Sequence, residues 1–382
     1  MKIVIIGSRG IPNNYGGFEQ FAEFLSRSLI ARGHDVWVCS PHYHYFKANR
    51  YIGVNIKHVF NPEKYIGTTG NFIYDFLCMK YAFGASADVI LMLGYTTSSV
   101  WFYFFKNRKT VMVTNMDGME WQRSKWSPVI KKLAKWFEKL AVKNCKYLIS
   151  DHPVIQEYYQ NEYDRSSFHI PYGANVFMHP DETILEKFSL EKRKYSMLIA
   201  RLEEGHHIDE IIDGYLAAGR KEPFLVIGNY PTKYGKKLSD KYKPYAQVRF
   251  IGFVYKMSVL NNLRYYSEYY FHGHSIGGTN PSLLEAMASG ALIIAHANPF
   301  NKYILGDDGF YFNDTDEIKQ ILGNKLPDEE TRKMIVNNNY DKIRNNYRWD
   351  HVVNAYEKMF MEITNEKSTV TKSGKILIGS PE

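Results

Sequence analysis

The stretch of sequence that decides the fold is residues 271–290, which read Phe-His-Gly-His-Ser-Ile-Gly-Gly-Thr-Asn-Pro-Ser-Leu-Leu-Glu-Ala-Met-Ala-Ser-Gly. An apolar strand ends at Phe271, a polar glycine loop follows, and Pro281 suits the first turn of a helix. The amides of that turn point back into the loop, where they favour an anion. The stretch therefore predicts a strand, an anion-binding loop and a helix in direct succession.

The same alternation of short apolar runs with amphipathic helical stretches extends outward over most of the chain, as is typical of a mostly parallel sheet. The first half contains predicted strands at 2–6, 35–39, 88–93, 110–114, 147–150 and 167–170, and predicted helices at 17–32, 68–83, 128–143 and 152–161. The rhythm restarts after a polar segment, with predicted strands at 196–200, 223–227, 248–251, 268–271 and 292–295. We therefore predict an α/β protein with two Rossmann-like, doubly wound α/β domains.

The predicted boundaries follow from these two sets of strands. They give an N-terminal domain of residues 1–180, a second domain of 190–347, a C-terminal helix of 348–364 that packs back onto a domain, and a poorly ordered tail of 365–382. In domains of this kind, ligands bind outside the carboxyl ends of the strands. The loops that follow the strands are therefore the expected sites of chemistry.

Composition bounds the function without naming it. Among 382 residues the formal net charge is +8 and the pI is near 9.0, which favours an anionic partner such as nucleic acid, a phosphate-bearing substrate or anionic lipid. Cys39, Cys78 and Cys145 lie far apart and predict neither a disulfide framework nor a zinc site. The apolar run at 3–6 is too short for a signal peptide or a membrane span, so we expect a cytoplasmic protein.

A second glycine loop, Gly-Ser-Arg-Gly-Ile-Pro-Asn-Asn-Tyr-Gly-Gly-Phe-Glu at 7–19, follows the first predicted strand. Gly16 and Gly17 open the first helix, where free amides favour a phosphate. The spacing matches neither the Gly-x-Gly-x-x-Gly dinucleotide motif nor a P-loop. The alternative is a long strand-to-helix turn that binds nothing.

Glu285 lies one turn inside an otherwise apolar helix that we expect to be buried. An unpaired carboxylate in that position would be costly, so a polar ligand partner is the simplest explanation. The alternative is a carboxylate satisfied by the backbone or by a lysine.

Several ordered motifs resemble those of GT-B glycosyltransferases of family 4. They are the Gly-Gly loop at 277–278, Ile-Ala-Arg-Leu at 199–202, Phe-Ile-Gly at 250–252 and the Pro-Ser-Leu-Leu-Glu-Ala run from 281. The closer similarity is to the bacterial rhamnosyltransferase-like subgroup, through Gly-Ser-Arg-Gly-Ile-Pro at 7–12, Asp-Gly-Met-Glu-Trp at 117–121 and His-Gly-His-Ser-Ile-Gly-Gly-Thr-Asn-Pro-Ser at 272–282. The resemblance covers residues 1 to about 364.

The resemblance implies two Rossmann-like domains that face each other across a cleft, the first binding an acceptor and the second a nucleotide diphosphate sugar. It implies retaining transfer of the sugar to that acceptor. Arg201 would neutralise charge on the leaving diphosphate, a task that suits a permanently charged guanidinium. No metal or other cofactor is expected, because loop amides and Arg201 do the neutralising.

The resemblance also assigns the other donor contacts. Glu285 would hold the donor ribose. The amides of the loop before Pro281 would meet the diphosphate, and they belong to Gly277, Gly278, Thr279 and Asn280. Backbone groups around Gly228 and Asn229 would meet the base, and His274 is a further candidate, with a structural histidine as its alternative.

Two positions depart from the family pattern. Gly277 stands where a second glutamate is usual, which removes a contact to the hydroxyls of the donor sugar. His206 stands where a lysine is usual, and it makes the rate sensitive to pH if it acts as an imidazolium.

Asp117 follows the predicted strand 110–114, at a place where many relatives use a histidine beside the reacting sugar. We expect Asp117 near the anomeric centre and Glu120 beside the acceptor. The alternative for Asp117 is a helix-capping role. Asp314-Thr315-Asp316 resembles a metal-binding motif of another fold but is typical of a helix start with a capping carboxylate.

The stretch 125–143 begins at Lys125 and combines five further lysines with apolar residues on helical spacing. These lysines are Lys131, Lys132, Lys135, Lys139 and Lys143. Such a basic amphipathic helix favours contact with an anionic membrane surface. The alternative is that its apolar side packs on the sheet while its lysines are solvated.

These expectations define a hypothesis. The protein would move a sugar, with L-rhamnose as the first candidate, to a lipid-linked saccharide acceptor. The reaction would take place at the inner face of the membrane, in the synthesis of a cell-surface polysaccharide. The alternatives are a nucleotide-sugar-binding GT-B protein without transfer activity, either epimerase-like or an inactive scaffold, and a nucleic-acid-binding protein suggested by charge alone.

Overall fold

A computed structural model describes residues 1–105, 109–228, 232–254, 256–324 and 327–376. The chain forms two compact units. Unit 1 contains Met1–Trp121, Val129–Pro171 and the chain from Trp349 on, and unit 2 contains Gln122–Pro128 and Tyr172–Arg348. The division falls at Pro171, earlier than the 180–190 expected from sequence, because the following segment bonds within unit 2, where the Phe177 amide donates to the Ala288 carbonyl at 2.8 Å.

Unit 1 is built on one eight-stranded sheet. Its strands are β1 (Lys2–Ile6), β2 (Asp35–Pro41), β3 (Arg50–Tyr51), β4 (Val54–Val59), β5 (Val89–Leu93), β6 (Val111–Asn115), β7 (Tyr147–Ser150) and β8 (Phe168–His169). Their order is β3-β4-β2-β1-β5-β6-β7-β8, and the pairing is parallel except between β3 and β4. The central β5, Val-Ile-Leu-Met-Leu, is buried along its whole length, as expected for a parallel strand covered on both faces.

The helices of unit 1 lie close to the predicted positions. They are α1 (Gly17–Ala31), α2 (Glu63–Ile66), α3 (Gly70–Gly84), α4 (Pro128–Asn144) and α5 (Pro153–Tyr163). β3 and β4 are absent from the prediction, because Val54–Val59 alternates apolar and polar side chains instead of forming an apolar run. The two strands form a hairpin whose turn residues, Ile52 and Gly53, both have positive φ, as in a type I′ turn.

Unit 2 is built on a second, entirely parallel sheet. Its strands are β9 (Ser196–Ile199), β10 (Phe224–Ile227), β11 (Val248–Gly252), β12 (Tyr270–His272), β13 (Ile293–His296) and β14 (Phe310–Phe312), in the order β11-β10-β9-β12-β13-β14. Its helices are α6 (Ile208–Ala217), α7 (Lys233–Tyr242), α8 (Met257–Tyr266), α9 (Pro281–Ala288), α10 (Pro299–Leu305), α11 (Thr315–Gly323) and α12 (Glu329–Asn346). The predicted α/β class with two Rossmann-like sheets is confirmed.

The strand order of unit 2 reverses between β9 and β12. Such a topological switch point opens a crevice at the carboxyl ends of the two strands. The loops that border this crevice are 200–207, after β9, and 273–280, after β12. The fold therefore brings Arg201, His206 and loop 273–280 to the same edge of the sheet.

The last helix, α13 (Trp349–Ile376), packs on α1 within unit 1, as predicted. Trp349 stacks on Phe24 with ring centroids 4.7 Å apart, and Arg32 donates to Glu357 at 2.5 Å. The helix continues past residue 364, where the sequence predicts a poorly ordered tail, because no proline interrupts residues 365–376. Every helix in the described part of the chain is too short or too polar to span a bilayer.

Candidate active site

The loop 273–280 leads directly into the N-terminus of α9. The side-chain oxygen of Asn280 accepts a hydrogen bond from the Ser282 amide at 2.9 Å, and Pro281 occupies the first turn. Asn280 therefore caps the helix with its side chain. The Leu283 and Leu284 amides donate to the Asn280 carbonyl at 3.1 and 3.2 Å, so the first-turn amides are bonded inside the helix. What favours a phosphate at this loop is the positive end of the helix dipole.

Gly277, Gly278 and Thr279 form the part of the loop just before this cap. Gly277 has φ +147°, and a Cβ atom there would meet nothing within 4 Å. The backbone conformation, and not lack of space, therefore favours glycine at this position. Any L side chain, a glutamate included, would be strained at this φ. Thr279 is buried.

Two asparagines that the sequence analysis missed hold the loop from the far side. The side-chain amides of Asn298 and Asn301 both donate to the His274 carbonyl, at 2.9 and 3.1 Å. The Ser275 hydroxyl donates to the Gly205 carbonyl at 2.9 Å. The loop is thus tied both to α10 and to loop 200–207. The sequence signal was Asn298-Pro299, a helix cap followed by proline.

Glycines allow the loops of unit 2 to approach closely. A Cβ on Gly273 would lie 2.0 Å from the His206 carbonyl oxygen, and one on Gly228 would lie 1.9 Å from that of Ala200. The Gly228 amide donates to the Gly252 carbonyl at 2.9 Å. Gly228 therefore has a packing role at the end of β10, and its contact with a base stays a prediction. Asn229 lies outside the described residues.

Three histidines form a stack at the switch point. The ring of His274 lies 4.1 Å from that of His206 and 4.6 Å from that of His272, centroid to centroid. His206 Nδ1 donates to the Arg201 carbonyl at 2.7 Å. Both ring nitrogens of the fully buried His272 lack a hydrogen-bond partner among the described residues. The stack therefore joins loop 200–207 to loop 273–280.

Burial keeps this stack uncharged. It lowers the pKa of His206 to about 4 and that of His272 to about 3, and it also lowers the pKa of His274. The pH-sensitive rate was conditional on an imidazolium at His206, and the lowered pKa disfavours that form at neutral pH. Contact of His206 with a donor stays a prediction. His206 is a neutral positioning residue for Arg201 at neutral pH.

Arg201 remains accessible on the edge of the crevice. Its side chain is 47% exposed, and its Nη1 lies 3.6 Å from Oε1 of Glu203. Lys125, which the sequence analysis assigned to the basic helix, binds the same carboxylate at 2.8 Å. Burial alone would raise the pKa of Glu203, but Arg201 and Lys125 outweigh it and the pKa is lowered. Two cations therefore share one carboxylate in this part of unit 2.

Glu285 is paired with an arginine. Arg264 Nη2 donates to Glu285 Oε2 at 2.6 Å and approaches the Ser282 hydroxyl at 3.3 Å. The arginine is almost completely buried, whereas the glutamate keeps 13% of its side chain exposed. The carboxylate is therefore held by an arginine of the neighbouring helix α8, a partner that neither alternative named. The pair orients the Glu285 carboxylate while leaving it reachable.

Asp117 and Glu120 lie together beyond the carboxyl end of β6 in unit 1. Asp117 has φ +52°, a left-handed conformation that is uncommon outside glycine, and its amide donates to the Asn115 side chain at 3.0 Å. Burial raises the pKa of Tyr95, and the carboxylates of Glu138, Glu120 and Asp117 raise it further. The structure thus brings both predicted residues to one buried tyrosine, and such backbone strain is concentrated at functional sites.

A group of side chains around the buried Glu138 of α4 contacts the segment 117–121. We call it the Glu138 cluster, and its members are Glu138, Lys135, Tyr158 and Tyr163. Glu138 accepts hydrogen bonds from Tyr158 at 2.5 Å, Tyr163 at 2.6 Å and Lys135 at 3.0 Å. The Lys135 ammonium also lies 4.7 Å from the ring centroid of Trp121. Lys135 is therefore engaged inside unit 1, in contrast to the solvated or membrane-facing lysine expected from sequence. The position of a lysine in a helical sequence pattern does not show which side chains of other segments it will contact.

Gly16 and Gly17 open α1 in a different environment from the one predicted. Gly16 precedes the helix without a side-chain cap. The buried Glu19 carboxylate accepts a hydrogen bond from the Arg9 amide at 2.7 Å, and Glu19 Oε2 lies 3.4 Å from the position of a Cβ on Gly16. A negative side chain thus occupies the place in which an anion would bind. This favours the alternative, a strand-to-helix turn, over a donor contact.

Metal ligands are not gathered in the described residues, where no group of three His, Cys, Asp or Glu side chains has the geometry to hold a metal ion. Asp314 caps α11, since its side chain accepts from the Glu317 amide at 2.9 Å. The interpretation of that triplet as a helix start is confirmed.

Comparisons with protein families divide the chain into two parts. Residues 1–175 match the family described as Domain of unknown function (DUF1972), and residues 181–342 match the family described as Glycosyl transferases group 1. An uncharacterized glycosyltransferase of Methanocaldococcus jannaschii is 27% identical over 198 residues, which cover 48% of this chain and 49% of that protein. The match thus spans about half the length of this curated relative.

Solved structures resemble the whole chain. Sucrose-phosphate synthase of Thermosynechococcus elongatus has a TM-score of 0.80 at 16% identity, over 96% of this chain and 99% of that one. HepE of Anabaena, solved in complex with UDP and glucose, has a TM-score of 0.72 at 14% identity, over 95% and 100%. The chain therefore has the GT-B fold, and its residues 181–342 are similar to the glycosyl transferases group 1 family.

Proposed function

We propose that this chain is a retaining glycosyltransferase of family 4 that moves a sugar from a nucleotide diphosphate donor to a saccharide acceptor. The observation that carries the proposal is loop 273–280, which lies at the switch point of the sheet in the part of the chain that matches the glycosyl transferases group 1 family, and which ends at the N-terminus of α9. HepE, a relative in fold, was solved with UDP and glucose. A nucleotide sugar is the ligand that matches both features.

Unit 2 would hold the donor. The amides from Gly277 to Asn280 would bind the diphosphate, and Glu285, oriented by Arg264, would accept hydrogen bonds from the ribose hydroxyls. Arg201 would neutralise the charge that develops on the leaving diphosphate. These groups do the electrostatic work without a metal ion, and the proposal needs no cofactor.

The proposed reaction replaces the diphosphate on the anomeric carbon of the donor sugar by an oxygen of the acceptor. The bond from the anomeric carbon to the diphosphate oxygen breaks, and an acceptor hydroxyl forms a new bond to that carbon from the same face. The hydroxyl proton passes to the departing diphosphate. Asp117 would be the polar group near the anomeric centre, and Glu120 would help to place the acceptor.

The donor sugar we propose is L-rhamnose, carried on dTDP. Support comes from the resemblance of residues 7–12, 117–121 and 272–282 to the rhamnosyltransferase-like subgroup. The absence of a carboxylate at Gly277 also fits a donor that differs from those of ordinary family members, because a contact to the sugar hydroxyls is missing.

The acceptor we propose is a lipid-linked saccharide in cell-surface polysaccharide synthesis, met at the cytoplasmic face of the membrane. Support comes from α4, whose exposed lysines include Lys132, Lys139 and Lys143. Each lysine near an anionic surface contributes about 1 kcal/mol of attraction. We expect no nucleic-acid partner.

The test is a transfer assay with purified protein, dTDP-L-rhamnose and a lipid-linked saccharide, with the product identified by mass spectrometry. Asp117→Asn is expected to lower turnover while donor binding is retained, and Glu285→Ala is expected to weaken donor binding. Wild-type turnover in both variants would overturn the site assignment. Donor binding without product for any sugar would favour a GT-B protein without transfer activity.

A further inference from the structure

Unit 1 exposes a group of large apolar side chains that a folded domain would ordinarily cover. Val129 is 76% exposed and Phe104 is 70% exposed. We call the group the apolar surface, and its members are Ile73, Tyr103, Phe104, Val129, Leu133 and Trp136. Contiguous apolar patches on soluble proteins mark interaction sites.

Ring contacts link the three segments that carry these exposed side chains. On one side Trp136 of α4 contacts Phe137 at 5.3 Å, and Phe137 contacts Phe72 of α3 at 5.5 Å. The Trp101 indole donates to the Phe72 carbonyl at 2.9 Å and its ring contacts that of Phe104. Residues from α3, from 101–104 and from α4 therefore form one supported layer, whose outer members are exposed.

Helix α4 contributes charge of a single sign to the rim. It contains five lysines and one carboxylate, Glu138, which is buried and already holds Lys135. Lys132, Lys139 and Lys143 are exposed and follow the helical spacing of Val129, Leu133 and Trp136. The exposed stripe thus interleaves apolar side chains with lysines, and its last members, Lys139 and Lys143, are both basic.

This combination decides the occupant. A symmetric contact with a second copy of the chain would bring like charges of α4 together, which is unfavourable. An anionic bilayer instead neutralises the lysines at the headgroups and accepts aromatic side chains in the interface. We propose that the apolar surface inserts into the interfacial region of an anionic membrane, with Tyr103, Phe104 and the start of α4 as the inserted part.

The inference rests on the proposed function, because it names the partner that carries a lipid-linked acceptor. The proposed function invokes only the attraction between the lysines of α4 and an anionic membrane. The inference adds apolar anchoring by residues 103–104 and 73, which lie outside that helix. Membrane binding of such a surface grows with the apolar area that it buries and with its attraction to anionic lipid, and this surface offers both.

The test is sedimentation of the full chain with vesicles of phosphatidylcholine alone or mixed with phosphatidylglycerol. The double variant Tyr103→Ser/Phe104→Ser should lose about tenfold or more in partitioning to both kinds of vesicle. Lys132→Gln/Lys139→Gln should lose only the advantage of anionic over neutral vesicles. The matched control, Tyr303→Ser/Met334→Ser, removes two exposed apolar side chains of unit 2 and should bind as the wild type does.

Three outcomes would overturn the inference: no binding of the wild type to either vesicle, an equal loss in the control, or self-association of the wild type that the 103–104 variant abolishes. Its failure is distinguishable from that of the proposed function. If only the membrane inference fails, transfer to a water-soluble, short-chain acceptor persists. If the proposed function fails, transfer to both acceptors is absent while vesicle binding is unaffected.

Discussion

Arg264 and Glu285 form an ion pair inside unit 2, with Nη2 of the arginine 2.6 Å from Oε2 of the glutamate and the arginine side chain 1% exposed. Arg264 belongs to α8 and Glu285 to α9, so the pair joins two helices that follow different strands. Because the glutamate is the expected ribose contact, the arginine acts as its positioning residue. The proposed donor site thus depends on a residue that touches no donor.

Arg264→Met should lower the free energy of unfolding by about 3–5 kcal/mol, because it leaves a carboxylate largely buried without its partner. Adding Glu285→Gln to that variant should recover part of the loss, since the uncompensated charge is removed. Urea unfolding measures both. The control is Lys241→Met, which breaks an exposed pair with Asp213 and should cost at most about 1 kcal/mol. Equal losses in Arg264→Met and Lys241→Met would contradict the buried pair.

The neutral histidine stack predicts a loss of stability in acid. At pH values above 6.5, the ordinary pKa of histidine, the three histidines are neutral in both the folded and the unfolded chain. The stack then makes its full contribution to the free energy of unfolding. Between 6.5 and about 4 the unfolded chain binds a proton that folded His206 does not. The free energy of unfolding should therefore fall by about 1.4 kcal/mol per pH unit for each such histidine. Unfolding curves across this pH window measure the slope.

His272→Phe keeps a flat ring in the stack and removes one titrating group. Its slope between these pH values should be shallower than that of the wild type by about one proton. The exposed His351→Phe, which is far from the stack in sequence and lies on α13, should leave the slope unchanged. If both variants keep the wild-type slope, the histidine stack is not the source of the loss of stability in acid.

Gly277→Ala should cost about 1–3 kcal/mol of stability, because it forces an L residue to φ +147°. It should also weaken donor binding, since the loop amides would shift. The control is Gly323→Ala at the end of α11, where no atom lies within 4 Å of the added Cβ and alanine has the higher helix propensity. Titration calorimetry and urea unfolding would test both effects, and unchanged donor affinity in Gly277→Ala would argue against diphosphate binding by the loop.

Lys135→Met should destabilise unit 1 by about 2 kcal/mol, because Glu138 would lose a charged donor in a fully buried position. Lys139→Met, four residues further along α4, removes an exposed lysine and should change stability by less than about 0.5 kcal/mol. Thermal unfolding of the two variants is a direct comparison. Identical unfolding temperatures would mean that the Glu138 cluster does not support the Asp117–Trp121 segment.

Much of the fold was predictable because its central strands are continuous apolar runs between amphipathic helices. β4 was not, since its buried apolar residues alternate with polar residues that are half-buried or exposed. The length of α13 was not predictable either, because residues 365–376 are polar and show no helical pattern of apolar residues. Burial on both faces leaves a strong mark in sequence, and partial burial leaves a weak one.

The candidate site divides in the same way. Loop 273–280 and the cap at Asn280 are local features, so adjacent residues reveal them. Arg264 meets its glutamate across 21 residues, and nothing in its own helix indicates the partner. The neutral state of His206 depends on burial by distant strands. Sequence therefore identifies backbone motifs at the site but not the long-range partners that set charge and orientation.

The central claim is that unit 2 holds a nucleotide diphosphate sugar at the start of α9. The most direct measurement is the unfolding temperature of the purified protein with UDP, dTDP and GDP sugars in turn. One nucleotide class should raise it, with a gain of about 2.7 kcal/mol at 100 times the dissociation constant. The gain should persist in Asp117→Asn and be much smaller in Glu285→Ala. No gain with any nucleotide sugar, or an equal gain in Glu285→Ala, would contradict the claim.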